Sequence, residues 1–156
     1  MSNFLGEYSC SVDDKGRVKM PVSLKVQFSA EDGGKFMIAK GLDDCLVIYP
    51  METWKEQEKR LRKLDKFNPE HRQFISGITI GLTQMELDGN DRLLISKQLM
   101  KYIGNSREVI LKGDFDQIQI WDASKYEQYT QLNIANMPEI SRTVSKYLNE
   151  QEEKTK

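Results

Sequence analysis

One stretch of this sequence occurs twice. Val12-Asp13-Asp14-Lys15-Gly16-Arg17-Val18-Lys19-Met20-Pro21 matches Leu87-Asp88-Gly89-Asn90-Asp91-Arg92-Leu93-Leu94-Ile95-Ser96 when the chain is shifted by 75 residues. Asp13 falls on Asp88 and Arg17 on Arg92, and the apolar Val12, Val18 and Met20 fall on Leu87, Leu93 and Ile95. Further along, a shift of 72 lays Ile38-Ala39-Lys40-Gly41 on Ile110-Leu111-Lys112-Gly113 and Leu46-Val47-Ile48-Tyr49 on Ile118-Gln119-Ile120-Trp121. The same shift lays Trp54 on Tyr126. Self-similarity constrains the architecture more than composition does, because both copies must adopt one local fold. Two copies are too few for a solenoid. They predict a pseudo-two-fold domain in which each half completes the other.

Each copy reads as turn, strand, short helix, strand, turn, strand, helix. Asp13-Asp14-Lys15-Gly16 has turn chemistry: Asp accepts from backbone N–H groups and Gly tolerates positive φ. Pro21 suits the first turn of a short helix over 22–28. Residues 29–35 read as a loop, 36–40 and 45–49 as strands, and 50–63 as a helix with an apolar stripe of Trp54, Leu61 and Leu64. Asn68-Pro69-Glu70 is a strong helix start, with a cap, a proline at the first helical position and an acid in the first turn. A strand is expected near 80–87, a helix capped by Ser96 and stopped by Gly104, and strands at 109–111 and 118–121. Asp122 is placed as a cap, Pro138 as the start of a final helix, and 151–156 as a frayed end. The repeats are accordingly bounded at 7–54 and 83–126, with helices between them at 55–82 and a helical tail at 127–156.

The chain has 156 residues, enough for one domain or two small intertwined halves. No apolar run approaches a membrane span, and the first residues show no secretory signal. Cys10 and Cys45 lack CxxC spacing, and so low a cysteine usage suits a reducing, cytoplasmic setting without a disulfide.

Net charge is −1, which by itself speaks against nucleic acid. Its distribution says more. Between Lys15 and Lys25 lie four basic residues (Lys15, Arg17, Lys19, Lys25) and no acid, and between Arg92 and Arg107 four more (Arg92, Lys97, Lys101, Arg107) and no acid. Both blocks start at the same point of the repeat. Charge runs are commonly solvated faces, but two at matching positions fit a shared surface facing a polyanion.

Enzyme chemistry is not visible. His71 is the sole histidine, so a triad or a His-rich metal site lacks its members, and it reads as a solvated side chain. No phosphate-cradling glycine motif is present. Asp13-Asp14 and Asp43-Asp44 sit in predicted turns and read as turn caps. No enzyme, cofactor, metal or small-molecule substrate is expected.

Phe4-Leu5-Gly6-Glu7-Tyr8, Asp13-Asp14-Lys15-Gly16-Arg17 and Met20-Pro21 resemble the opening of the bacterial MraZ family. Gly41-Leu42-Asp43-Asp44-Cys45-Leu46, Tyr49-Pro50 and Trp54 resemble the rest of that family's first half, Asn68-Pro69-Glu70 its middle, and 87–95 with 118–121 its second half. The resemblance spans about residues 4–130. It implies an α+β fold of the SpoVT/AbrB type, with two hairpin-and-helix repeats interlocked as a swapped-hairpin or double-psi β-barrel with peripheral helices. It also implies a ring of identical subunits that binds double-stranded DNA. Such a regulator acts in the cytoplasm, at the nucleoid, on direct repeats upstream of the division and cell-wall gene cluster that holds its own gene. The family's DxxxR residues map to Asp13 and Arg17, and to Asp88 and Arg92; Lys15, Lys19 and Lys25 join them as expected DNA contacts. Cys10 stands where the family often has His, Asp91 replaces Gly, Lys97 replaces Pro and Met100 replaces Arg, so the second half is the less typical one.

Two readings of Arg17 stay open on the residues alone. It braces its turn through Asp13, or its planar donor fork faces phosphate or guanine edges. The stripe of Trp54, Leu61 and Leu64 is either the core face of its helix or a subunit seam. Alternatives to the regulator are a ring-forming protein-interaction module without DNA binding and an AbrB-fold antitoxin-like repressor.

Overall fold

The computed structural model describes residues 3–28 and 34–155. Most of the loop expected at 29–35, residues 29–33, therefore lies outside the described residues.

The first repeat contributes β1 (Glu7–Ser11), β2 (Arg17–Lys19), α1 (Val22–Lys25), β3 (Lys35–Lys40), β4 (Leu46–Pro50) and α2 (Met51–Leu61). After α3 (Pro69–Thr79), the second contributes β5 (Thr83–Glu86), β6 (Arg92–Leu94), α4 (Lys97–Tyr102), β7 (Glu108–Asp114) and β8 (Gln117–Asp122), and α5 (Ala123–Lys154) follows. This is the mixed α+β class, with every strand pair antiparallel. Six strands form one sheet in the order β1-β7-β8-β4-β3-β5, and β2 and β6 form a two-stranded ribbon. Among the described residues the large sheet ends at β1 and β5 and does not close into a barrel.

The pairing obeys a pseudo-two-fold axis. In the ribbon, Val18 pairs with Leu93, its own counterpart in the repeat, flanked by Arg17 with Leu94 and Lys19 with Arg92. In the large sheet Val47 pairs with its counterpart Gln119, flanked by Leu46 with Ile120 and Ile48 with Ile118. The first strand of each repeat joins the other repeat: β1 pairs with β7, and β5 with β3. Neither half could satisfy its strand edges alone.

Core residues come in matched pairs for the same reason. Val18 and Leu93, Met20 and Ile95, Leu24 and Leu99, and Ile48 and Ile120 all lie in one buried cluster. Each such aliphatic side chain, fully buried, stabilises the fold by roughly 1.5–3 kcal/mol.

The structure corrects the repeat alignment by one residue. Ile38 pairs with Ile48, and the counterpart of Ile48, Ile120, pairs with Leu111. Ile38 therefore corresponds to Leu111, not to Ile110. Burial agrees, since Phe36 and Ile38 are buried in β3 and Val109 and Leu111 in β7. The shared Lys-Gly at 40–41 and 112–113 draws the sequences into the other register. Strand period decides the matter, because a one-residue slip would turn every side chain to the opposite face.

Helix boundaries follow local chemistry. Asn68 Oδ1 accepts from the backbone N–H groups of Glu70 at 2.9 Å and His71 at 3.4 Å, with Pro69 opening α3. Ser96 Oγ accepts from Leu99 N at 3.2 Å at the start of α4, and Gly104 ends that turn at φ +73. Trp54 is buried and Leu61 and Leu64 are half-buried; all three line a cavity of about 460 Å³ with Tyr49 and Phe74. The stripe thus lines this cavity and stands outside the main buried cluster. His71 differs from expectation: it is half-buried, and its Nδ1 accepts from Asp65 N at 3.0 Å, which shapes the turn before α3.

Residues 124–156 form a separate unit from the preceding chain. Its content is α5, one helix of 32 residues with Pro138 inside it. The expected second helix start at Pro138 and frayed end from 151 are both corrected. Proline removes one N–H donor from the ladder and crowds one turn, a cost of about 3 kcal/mol that the rest of so long a helix can absorb. The helix instead reaches Lys154.

Candidate nucleic-acid interface

Each copy of the repeated motif builds the same turn from one carboxylate. Asp13 Oδ1 accepts from Lys15 N and Arg17 N, both at 2.9 Å, while Oδ2 accepts from Arg17 Nε at 2.7 Å. Gly16 N donates to Asp13 O at 3.0 Å and closes the turn. Gly16 sits at φ +84, and a Cβ there would stand 2.7 Å from Ile95 O. Backbone N–H donation from Arg17 is the largest cause that holds the Asp13 carboxyl down at about 2, with the Arg17 side chain and Lys15 N adding to it against some desolvation.

The second turn repeats this geometry. Asp88 Oδ1 accepts from Asn90 N and Arg92 N at 2.9 Å, and Oδ2 from Arg92 Nε at 2.9 Å. Its carboxyl is also lowered, first by donation from Arg92 N. Asp91 occupies the glycine position at φ 60.

The brace uses one edge of each guanidinium. Nε is engaged, and among the described residues the terminal amino groups of Arg17 and Arg92 carry no hydrogen bond. Their side chains are 31% and 29% exposed. The two readings of Arg17 are therefore compatible: a fixed Nε contact aligns the rest of the donor fork for a ligand.

The other expected contacts separate in space. Lys15 stays with Asp13 and Arg17 on the first turn. Lys19 lies across the ribbon from Arg92, beside the second turn. Lys25 reaches the second turn too, and its Nζ stands 2.8 Å from Asp91 Oδ1. Conversely, Lys97, Lys101 and Arg107 of the second basic block line a groove with Asp13, Asp14 and Lys15. The two sequence blocks exchange members because each first strand pairs with the opposite repeat. Sequence reasoning noted those three cations but left them off the candidate site; the structure brings them beside its first turn.

Other chemistry is sparse. Burial pushes the Cys45 thiol up to about 12, a protonated and unreactive group, and Cys10 is raised by burial as well. Both are free thiols. Among the described residues, no three His, Cys, Asp or Glu side chains group closely enough to hold a metal ion. No described helix is long and apolar enough to cross a membrane.

Comparison with known proteins fits this duplicated architecture. The family model described as "MraZ protein, putative antitoxin-like" matches residues 3–76 and 78–146, one match over each half. The chain is 40% identical over 126 residues to a protein of Moorella thermoacetica, covering 81% of this chain and 85% of that one. It is 38% identical over 131 residues to one of Clostridium tetani (84% and 89%) and 31% identical over 148 residues to one of Cytophaga hutchinsonii (95% and 96%). All three are named transcriptional regulator MraZ. With both halves matched and relatives aligned over most of their length, the chain belongs to the MraZ family.

Proposed function

We propose that this protein is a sequence-specific DNA-binding transcriptional regulator that docks its first DxxxR turn on duplex DNA. The observation that carries the proposal is the turn itself, where a carboxylate locks Arg17 Nε and leaves the terminal amino groups unclaimed. Such a fork takes phosphate oxygens or a guanine edge. Lys15, Lys19, Lys25 and Arg92 supply phosphate contacts, and Asp13 and Asp88 orient the arginines. The Lys25 pair with Asp91 is part-exposed on the surface, so it can exchange onto a phosphate. The names of the relatives support a regulator rather than an enzyme.

Repeats 7–54 and 83–126 act as one interlocked unit of the swapped-hairpin kind, a reading supported by the coincident strand dyads and the shared core. With net charge −1, a single copy binds DNA weakly. Several copies in a ring, each presenting the same turn to a direct repeat, bind by avidity. The targets are repeats upstream of the division and cell-wall gene cluster that includes the protein's own gene, at the nucleoid.

Footprinting on the DNA upstream of its own gene tests this. Regularly spaced protected boxes are expected, with light scattering giving a mass above a dimer. Uniform, sequence-independent protection, or none at concentrations where the protein is fully assembled, would overturn the proposal in favour of a protein-interaction module.

A further inference from the structure

We infer that the phosphate-binding face at the first turn is completed by the other repeat, through Lys97 and Lys101 of α4 and Arg107 before β7, and that the second turn has no equivalent face. This rests on the DNA-binding reading above and adds residues and a polarity to it.

Two grooves, one beside each turn, are related by the pseudo-two-fold axis. The first is lined by four basic side chains (Lys15, Lys97, Lys101, Arg107) against two acidic ones. Among the described residues, the second has one basic side chain, Lys25, against Glu86, Asp88 and Asp91. The reversal comes from substitution at matched positions. Where α4 carries Lys97 and Lys101, α1 begins at Val22 and is capped by Val26, each 68% exposed. Where the first turn has Lys15, the second has Asn90, and where β7 is preceded by Arg107, β3 is preceded by Gly34. Among the described residues, Lys25 is the one cation lining the second groove, and three carboxylates face it there.

The first face is also held as one body. Val12 N donates to Arg107 O at 2.8 Å, and Ile95 N donates to Gly16 O at 2.9 Å. The Arg107 guanidinium pairs with Asp14, which pins the turn to the approach of β7. Both partners of that pair are more than 70% exposed, so the guanidinium exchanges readily onto a phosphate. Lys97 and Lys101 are exposed and four residues apart, hence on one side of α4. Such cations position a phosphate backbone without reading bases, so the face adds affinity and salt dependence while Arg17 supplies selectivity.

The test compares Lys97→Gln/Lys101→Gln with its mirror image, Val22→Gln/Val26→Gln, in the full chain. Glutamine keeps helix propensity at these exposed positions. Fluorescence anisotropy with a labelled duplex from upstream of the protein's own gene is followed across a salt series. The α4 variant should lose about two units of slope in log affinity against log salt per bound chain, with roughly tenfold weaker binding and unchanged sequence preference. The α1 variant should match the wild type. A wild-type slope in the α4 variant, or an equal loss in both, overturns the inference while DNA binding by the wild type still stands. Absence of duplex binding by the wild type overturns the functional reading itself. If the double variant melts early, Lys101→Gln alone should lose about one unit, and an unchanged slope there has the same negative meaning.

Discussion

Asp13 accepts three hydrogen bonds within a five-residue span, and its carboxyl consequently gives up its proton early, at about 2. Asp88 shifts in the same direction for the same reason. A carboxyl depressed in the folded state contributes stability above its unfolded pKa, and that contribution is lost as pH falls through the folded value. For Asp13 the window runs from about 4 down to about 2. Thermal melts between pH 5 and 2 should therefore show a falling melting temperature in the wild type. The Asp13→Asn/Asp88→Asn variant should start lower and change less across the window. Identical pH slopes in the two proteins would show that the turns do not hold their carboxylates as described. At this scale the sequence was a good guide. Aspartate, glycine and arginine at fixed offsets dictate the turn, but whether the arginine is spent inside it required geometry.

At the scale of elements, the space a Cβ would enter separates two glycines that share a backbone conformation. Gly16 and Gly104 both have positive φ, at +84 and +73. A Cβ at Gly16 would strike Ile95 O at 2.7 Å, and one at Gly104 would meet nothing within 4 Å. Gly104→Ala should cost only the left-handed conformation, about 1–2 kcal/mol. Gly16→Ala pays that and must also push the second repeat's backbone aside. It should destabilise clearly more in urea titrations and abolish DNA binding; equal costs would show that the approach of Ile95 is slack. Pro138 gives a further test within α5. Pro138→Ala restores the missing N–H donor and should raise the melting temperature of the protein or leave its helical content higher at elevated temperature; a lower melting temperature would mean that the proline itself stabilises the fold. Elements with a cap or a strand alternation were readable from sequence, as at Asn68 and Ser96. The repeat alignment of β3 with β7 was not, because matching residues pulled it one place from where burial puts it.

Across the molecule, the duplication announced that two halves would complete each other, and the strand dyads at Val18–Leu93 and Val47–Gln119 show how. What sequence could not show is the exchange that carries Lys97, Lys101 and Arg107 to the first turn and Lys19 to the second. Cations adjacent in sequence part company because their strands pair with opposite partners. The turns are therefore alike in backbone and unlike in charge, and this difference ranks their arginines. Arg17→Ala, Arg92→Ala and the wild type should be compared in a gel-shift titration on the upstream DNA at two salt concentrations, each with a melting curve and an assembled mass. Arg17 holds only an exposed pair, worth roughly 0–1 kcal/mol, so its variant should melt and assemble as the wild type does. Specific binding should nonetheless be abolished or greatly weakened, because the contact recurs in every subunit, with Arg92→Ala losing less. If Arg17→Ala instead melts many degrees lower while its folded fraction binds the DNA normally, Arg17 is a turn brace alone and the DNA-binding assignment is contradicted.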